Sequence, residues 1–192
     1  MRYYSTKGDS GTSSFGRGVR TQKSELGMEF VGALDEAQAA LGFAVTEAQA
    51  LSEEHNQLCE VLGCLTWMQR SVFEAGTVVM ETAGEELAKD WSWDERMIEV
   101  ERLCEQFAPK QALKGFILPG GSELAARIEL ARVAIRKLER VYCRLVATKA
   151  KKEGLHKLLS MDALPLFNRL SSLAFVLARY SNEVLEVDEL SL

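Results

Sequence analysis

The sequence predicts an all-α protein, a five-helix antiparallel bundle, and three features lead to this prediction. Only three prolines interrupt 192 residues, and proline inside a helix removes a backbone hydrogen bond. Long stretches are rich in Ala, Leu, Glu and Arg, which are good helix formers. Apolar residues recur every three or four positions, as they do on the buried face of a helix. With 47% hydrophobic residues the chain can form one core, so a single bundle domain is sufficient.

The N-terminal segment, residues 1–25, is predicted to be a structured loop or a flexible arm in front of the bundle. It is rich in glycine and hydroxyl side chains and has almost no aliphatic ones. Such a segment cannot form an amphipathic helix. The bundle domain is then assigned to residues 26–183, and residues 184–192 form an acidic C-terminal tail.

The first two helices are predicted from their apolar spacing. The first starts at Met28 and runs for about five turns, because apolar residues from Phe30 to Val45 recur at three- and four-residue steps. The second is predicted from about residue 48 or 52 to residue 82. Its buried side consists of Leu58, Leu62, Leu65, Met68, Val72 and Val79.

The last three helices are marked mainly by their ends. The third spans residues 92–107, with Pro109 just beyond it. Ser122 and Glu123 are typical of a helix start, so the fourth is predicted from there to about residue 150. The fifth is predicted over residues 164–182. Five such helices with short connections are typical of an antiparallel bundle.

Composition excludes several classes of protein. No stretch of about 18 uncharged apolar residues exists, and the N-terminus lacks a signal-peptide segment, so a cytoplasmic protein without membrane contact is expected. The net charge of −5 argues against a nucleic-acid binder. The cysteines lack CxxC spacing and neither histidine completes a zinc pattern, so reduced, buried thiols are expected rather than a metal site. These cysteines are Cys59, Cys64, Cys104 and Cys143.

Positive charge is nevertheless concentrated on the fourth helix. Residues 123–152 contain nine cations and three anions, a net +6, which leaves −11 for the rest of the chain. Arg132, Arg136, Arg140 and Arg144 follow at four-residue steps and form a ridge, with Lys137 beside it. One interpretation is a solvated helix face, on which Glu129 and Glu139 neutralise their neighbours. The other is a polyanion site, since guanidinium groups bind phosphate oxygens in pairs.

The arm supplies what an arginine ridge lacks. Its "TKGDSGTSS" stretch offers backbone N–H groups that can curve around phosphates, together with hydroxyls and a lysine. It is not a Walker A loop, because G-x-x-x-x-G-K-[ST] is absent. The arm and the arginine helix together favour a nucleotide polyphosphate as ligand.

Several stretches are similar to the motifs of one protein family. "YSTKGDSGTSS" and "GVRTQKSE" match its Y-T-K-x-G-D-x-G-x-[ST] and G-x-R-x-x-K-D patterns, and "FVGALDEAQAALGFA" matches Y-G-x-x-D-E-L-N-x-x-I-G-x-A. "LTWMQRSVFEAG" and "LFNRLSSLAFVLAR" also match, and "FILPGGSELAARIELARVAIRKLER" matches F-I-L-P-G-G-[ST]-x-x-[AS]-x-x-H-x-A-R-x-x-x-R-R-A-E-R without a gap. Over nearly its whole length the chain thus resembles the PduO-type ATP:cob(I)alamin adenosyltransferases, as a divergent member.

The resemblance implies a homotrimer of five-helix bundles that holds ATP between adjacent subunits. It implies transfer of the 5′-deoxyadenosyl group of ATP to cobalt(I) of cobalamin, with release of triphosphate. Magnesium would be bound through ATP rather than by protein side chains alone. A reductase or an adenosylcobalamin-dependent enzyme is a candidate protein partner.

The resemblance also assigns site residues by position. Asp35 and Arg132 match a salt bridge that crosses the subunit interface near the corrin, and Phe116 matches the aromatic residue that excludes the lower cobalt ligand. Without that ligand cobalt(II) is easier to reduce, while Arg, Lys and magnesium stabilise the charge on the leaving triphosphate. The residues expected to bind ATP are Thr6, Lys7, Gly8, Asp9, Gly11, Ser13, Lys23, Arg132, Arg136, Lys137, Glu139, Arg140 and Asn168.

Five positions depart from the family pattern. Lys7 lies one residue later than the phosphate-binding lysine, and Lys137 replaces an arginine. Glu129 replaces a histidine, Ser172 an aspartate and Gln38 an asparagine. These departures keep a second function open, a non-catalytic cobalamin- or nucleotide-binding carrier or sensor on the same fold.

Overall fold

The computed structural model describes residues 3–15, 19–80, 91–113, 115–149 and 161–191. Within these ranges the chain forms five α-helices and one two-stranded sheet, so the expectation of a mainly helical protein is confirmed. The strands are β1 (Thr12–Phe15) and β2 (Val19–Gln22), and the helices are α1 (Leu26–Ser52), α2 (Gln57–Met80), α3 (Trp93–Gln106), α4 (Glu123–Lys149) and α5 (Ala163–Val184).

The core lies between α1, α2, α4 and α5, whose buried apolar residues form one cluster, and α3 packs on α5. α1 packs against α2 and α4, and α5 packs against α4, α3 and α2. The fully buried ring of Tyr142 on α4 lies 5.3 Å from that of Phe30 on α1 and 5.8 Å from that of Phe167 on α5. These three rings join the helices at the level where the arginine ridge runs along the outside of α4.

The boundary between α1 and α2 differs from the sequence prediction. α1 continues to Ser52, and α2 begins only at Gln57. Ala44 and Ala48 are both fully buried, so the apolar stripe of α1 extends past the five predicted turns. Alanine favours this continuation, and no glycine or proline marks the break at residues 53–56. The starts near residue 48 or 52 were therefore wrong by at least five residues.

The other helix ends agree closely with the prediction. The Ser92 hydroxyl accepts a hydrogen bond from the Glu95 N–H, 3.2 Å, and caps α3. The Ser122 hydroxyl accepts from the Ala125 N–H, 3.1 Å, at the start of α4. The expected ends of the second helix at residue 82 and of the fourth at residue 150 lie outside the described residues.

The N-terminal arm forms a structured turn and hairpin. A single 3-10 turn covers Thr6–Gly8, and the antiparallel strands pair Thr12 with Gln22 and Ser14 with Arg20. The hairpin is fixed to the bundle by Phe15, whose ring would lie 3.1 Å from a Cβ placed on Gly27. Glycine at the first turn of α1 therefore lets the hairpin pack closely on the helix.

The cysteines are free, as expected, but they are not all buried. Cys64 is buried, which raises the pKa of its thiol to about 12, whereas Cys59 and Cys143 are exposed and Cys104 is half-buried. The prediction of buried thiols is thus wrong for Cys59 and Cys143, since both lie on outward positions of otherwise buried helices. In the described parts of the chain, no helix is long and apolar enough to cross a membrane.

Candidate functional site

An open groove on α4 contains two of the four ridge arginines, together with Lys137. Its volume is about 510 Å³, and it is lined by Glu29, Lys137, Arg140, Val141 and Arg144. Two of its cations are paired with α1: Lys137 Nζ lies 2.7 and 2.6 Å from the two carboxylate oxygens of Glu36, and Arg144 pairs with Glu29. The groove therefore joins the cationic face of α4 to α1.

Arg136 and Arg140 are the cations of this region that remain available to bind a ligand. Both side chains are exposed, and within the described residues neither forms a salt bridge or a hydrogen bond. An unpaired arginine offers five N–H donors in a planar fork that fits phosphate oxygens. The face of α4 is thus only partly neutralised: Lys137 and Arg144 have carboxylate partners on α1, whereas Arg136 and Arg140 keep their donors free for a polyanion or for water.

The glycine-rich loop of the arm is tightly folded around the predicted phosphate-binding residues. The Asp9 N–H donates to the Thr6 carbonyl, 3.1 Å, and the Gly11 N–H to the Gly8 carbonyl, 3.2 Å. Gly11 has φ +77°, a left-handed conformation that favours glycine. A Cβ on Gly8 would lie 3.3 Å from Lys23 Nζ, so the structure brings the Lys23 ammonium group directly to the loop.

Arg20 fixes this loop from the opposite strand, a role that sequence reasoning missed. Its guanidinium group donates to the Lys7 carbonyl, 2.5 Å, and to the Thr12 hydroxyl. Lys7 therefore contributes its backbone to the loop while its side chain is exposed. The arginine of "GVRTQKSE" was part of the matched stretch, but its partner lies 13 residues earlier and nothing in the local pattern indicates it.

The arm and the groove meet the same end of α1. The hairpin packs on Gly27 through Phe15, and Glu29, two residues later, lines the groove on α4. On α5, Phe167 packs against Tyr142 of α4, which follows the groove residue Val141. Asn168 is the residue after Phe167. Asn168 is itself exposed. The arm and the groove on α4 thus lie at the same end of α1, and Asn168 follows a residue of α5 that packs on α4.

The loop that leads into α4 is fixed by Asn182 of α5. Its side-chain oxygen accepts from the backbone N–H and the hydroxyl of Ser122, 2.8 and 2.9 Å, and its amide nitrogen donates to the Gly120 carbonyl, 2.9 Å. Gly120 and Gly121 have φ +139° and +100°. A Cβ on Gly121 would lie 2.5 Å from the Asn182 amide, so only glycine fits there.

Substituting Gly121 by alanine is expected to destabilise the fold by about 3 kcal/mol, because left-handed strain and a clash with the buried Asn182 add together. Gly120→Ala is the matched control, since Gly120 also has a positive φ but its Cβ would meet no atom within 4 Å. Strain alone should cost Gly120→Ala about 1 kcal/mol. Urea unfolding measures both; equal losses would contradict the clash with Asn182.

Phe116 is exposed three residues before Pro119, which lines a second, apolar groove. Phe116 is 86% exposed, and the groove, about 310 Å³, is lined by Pro119, Ala126, Glu129, Leu130 and Val133. Leu130 and Val133 are also more than half exposed. Solvated aromatic and aliphatic side chains in this number mark a surface that binds an apolar ligand or another protein chain.

The two members of the expected salt bridge near this groove do not meet within one chain. Arg132 pairs with Glu129, with 2.6 Å between Nε and Oε2, while Asp35 is exposed and forms no ion pair among the described residues. Glu129 is 8% exposed and therefore depends on Arg132 to compensate its charge. The substitution noted at Glu129 thus gives Arg132 a partner on its own helix.

Two further expected residues, Glu139 and Ser13, and the departing residue Ser172 make few contacts. Glu139 and Ser13 are half-buried and have no side-chain partner among the described residues. Ser172 donates its hydroxyl to the Asn168 carbonyl, 3.3 Å. Sequence reasoning also missed Glu29, Glu36 and Asn182; the first two are over 100 residues from their partners on α4, which leaves no local signal.

A family model and two related proteins identify the same family for this chain. The family model described as cobalamin adenosyltransferase matches residues 3–181. The corrinoid adenosyltransferase of Mycobacterium tuberculosis strain H37Rv is 33% identical over 187 residues, covering 94% of this chain and 89% of that protein. The Bacillus subtilis strain 168 protein of the same name is 32% identical over 187 residues, with 95% and 87% covered.

A solved structure shares the fold. It is a variant of the PduO-type ATP:corrinoid adenosyltransferase from Lactobacillus reuteri complexed with cobalamin and ATP. It aligns with a TM-score of 0.76 at 23% identity and covers all of this chain and 96% of the other.

Proposed function

This chain belongs to the cobalamin adenosyltransferase family and is an ATP:corrinoid adenosyltransferase; we propose that it moves the 5′-deoxyadenosyl group of ATP to cobalt(I) of cobalamin. The C5′–O bond of ATP breaks, a cobalt–carbon bond forms with the electron pair of cobalt(I), and triphosphate leaves with the electrons of the broken bond. No proton has to be removed, so the reaction needs no general base.

The observation that carries this proposal is that two arginines next to the groove on α4, Arg136 and Arg140, have no salt-bridge partner among the described residues. Charge grows on the triphosphate oxygens as the C5′–O bond breaks, and preorganised guanidinium groups stabilise it. The arm adds the N–H groups of Gly8, Asp9 and Gly11 and the ammonium of Lys23. Lys137 binds phosphate only by sharing its ammonium with Glu36, while Thr6, Lys7, Ser13, Glu139 and Asn168 complete the nucleotide site.

Magnesium fits this site as a companion of the nucleotide. Among the described residues no group of three or more His, Cys, Asp or Glu could hold a metal ion, and magnesium prefers phosphate oxygens and water. Bound there, it neutralises charge on the triphosphate. Asp9 and the hydroxyl of Ser13 are the hard oxygen donors that the arm provides.

The corrinoid is assigned to the apolar surface near the start of α4. Exposed Phe116 and the groove beside Pro119 offer the apolar contact that a corrin ring needs, and Phe116 excludes the lower ligand of cobalt. Arg132 then forms its salt bridge with Asp35 of an adjacent copy. The uncovered Leu130 and Val133 support a homotrimer in which neighbouring subunits complete each site.

The proposed function is tested by mixing the protein with ATP and cob(I)alamin. One triphosphate is expected for each adenosylcobalamin formed, with triphosphate measured by chromatography and the cobalt–carbon bond by absorbance. ATP at 100 times its dissociation constant should raise the stability by about 2.7 kcal/mol. Arg140→Ala should lose most of both signals, while Arg169→Ala, which removes an exposed ion pair with Glu101, should retain them.

The contrary outcomes separate the alternatives. Cobalamin binding without any triphosphate would indicate a carrier or sensor, which the neutralised Lys137 and Arg144 also favour. Absence of stabilisation by ATP would exclude a nucleotide site in the groove and would favour a solvated helix face. A cytoplasmic location, and a reductase or an adenosylcobalamin-dependent enzyme as partner, belong to the same proposal.

A further inference from the structure

The last described residues of the chain fold back onto the loop that carries Phe116. The Leu118 N–H donates to the Leu190 carbonyl, 2.8 Å, and Ile117 and Ser191 form an isolated antiparallel bridge. We name residues 185–191 the C-terminal strap. The strap therefore pairs with the backbone one and two residues after Phe116.

The strap is fixed to the bundle by a buried ion pair. Arg179 of α5 is 8% exposed, and its Nε lies 3.2 and 3.0 Å from the two carboxylate oxygens of Glu189. One of its terminal nitrogens donates to the Gln111 carbonyl, 3.0 Å. A buried guanidinium group without its carboxylate is strongly unfavourable, so Arg179 holds both the strap and the segment before Phe116.

Asn182 provides a second attachment of the strap. Its backbone carbonyl accepts from the Val187 N–H, 2.9 Å, while its side chain binds Gly120 and Ser122 on the other side of the Phe116 loop. One residue of α5 thus connects the start of the strap to the end of that loop.

Phe116 needs such support because its own side chain packs on little. It is 86% exposed, so its direction is set by the backbone of its neighbours rather than by contacts of the ring. The strap is the element that binds this backbone, and Arg179 and Glu189 hold the strap. Loss of their ion pair would release the loop without touching the nucleotide groove on α4.

We propose that the C-terminal strap positions Phe116 against the corrinoid, with Arg179 and Glu189 as positioning residues. The proposal rests on the proposed function, because it assigns the corrinoid to Phe116. It adds a role for the acidic tail. Glu189 acts within its own chain through Arg179, a residue that contacts neither ATP nor cobalt.

The test compares Glu189→Gln with Asp188→Asn. Both remove one negative charge from the strap, but Asp188 is exposed and forms no ion pair in the described part of the chain. Hydrogen exchange of the Leu118 amide reports local opening of the strap. Glu189→Gln should accelerate this exchange at least about tenfold, whereas Asp188→Asn should leave it unchanged.

A second readout follows the corrinoid itself. Cob(II)alamin with ATP is titrated into each variant, and its absorbance gives both the dissociation constant and the fraction of cobalt without a lower ligand. Glu189→Gln should lower that fraction and weaken cob(II)alamin binding about tenfold, while the dissociation constant of ATP stays unchanged. A chain ending at Asp188 should show the same pattern more strongly.

Two results would overturn the inference. Unchanged exchange at Leu118 in both Glu189→Gln and the shortened chain would show that the strap does not hold the loop. Faster exchange with an unaltered cobalt spectrum would show that Phe116 is positioned without it. Failure of the wild-type protein to form adenosylcobalamin would count against the proposed function alone, because exchange and cob(II)alamin binding are measured without turnover.

Discussion

Replacing Arg132 with alanine is expected to lower kcat/KM for adenosyl transfer by about a thousandfold. Only Nε of Arg132 has a partner among the described residues, the Glu129 carboxylate at 2.6 Å. Its two terminal nitrogens therefore remain free for the salt bridge that we propose with Asp35 of an adjacent copy. In this proposal, Glu129 orients one edge of the guanidinium group and leaves the other edge for the salt bridge near the corrin.

Arg132→Ala should also lower stability, and this effect must be separated from activity. The Glu129 side chain is 10% exposed, so its carboxylate would lose its partner at a cost of about 3 kcal/mol. Removing both residues, in Glu129→Ala/Arg132→Ala, should recover most of that stability by urea unfolding. Activity should stay as low as in the single variant, because Glu129 serves transfer only through Arg132.

Arg102→Ala is the matched control. Arg102 and Glu99 also form a pair three residues apart, at 2.8 Å, but their side chains are 53% and 37% exposed. Loss of such a pair should cost less than about 1 kcal/mol and should leave transfer unchanged. Wild-type transfer by the Glu129→Ala/Arg132→Ala variant would show that Arg132 has only a structural role.

Local signals predicted much of the fold correctly. Ser122 followed by Glu123 and an apolar stripe determines the start of α4 through contacts within one helical turn, and the structure places it there. The predicted end of α1 was wrong because Ala48 fits either the end of one helix or the start of the next. Burial against neighbouring helices, which a single sequence does not display, decides between them.

The chemistry of the site was less accessible to sequence reasoning than its location. Composition indicated that α4 is cationic, but not that Glu36 pairs with Lys137 or Glu29 with Arg144, since each pair joins α1 to α4 across more than 100 residues. Which arginines remain unpaired depends on those contacts. The strap likewise depends on Arg179 and Glu189, whose partnership exists only once the tail has turned back.

Mixing two inactive variants is expected to restore transfer if neighbouring subunits build each nucleotide site. Asp9→Ala removes an exposed carboxylate from the arm, and Arg140→Ala removes an unpaired guanidinium group from α4. Neither side chain forms an ion pair among the described residues, so both variants should fold. Each alone should transfer at no more than about 1% of the wild-type rate.

If the proposed homotrimer forms, one type of interface in a mixed trimer joins an intact arm from the Arg140→Ala chain to an intact α4 from the Asp9→Ala chain. Every trimer that contains both chains has this combination at about one third of its interfaces, so the isolated mixed species should recover about one third of wild-type activity. Co-expression with two different tags isolates the mixed species, and remixing each variant with itself is the control. Within one chain the arm and the groove also lie close together, because both meet the first turns of α1. If each arm served the α4 of its own chain, every site in a mixed trimer would carry one of the two substitutions. Mixtures as inactive as the separate variants would therefore place the arm and α4 of each site in the same subunit.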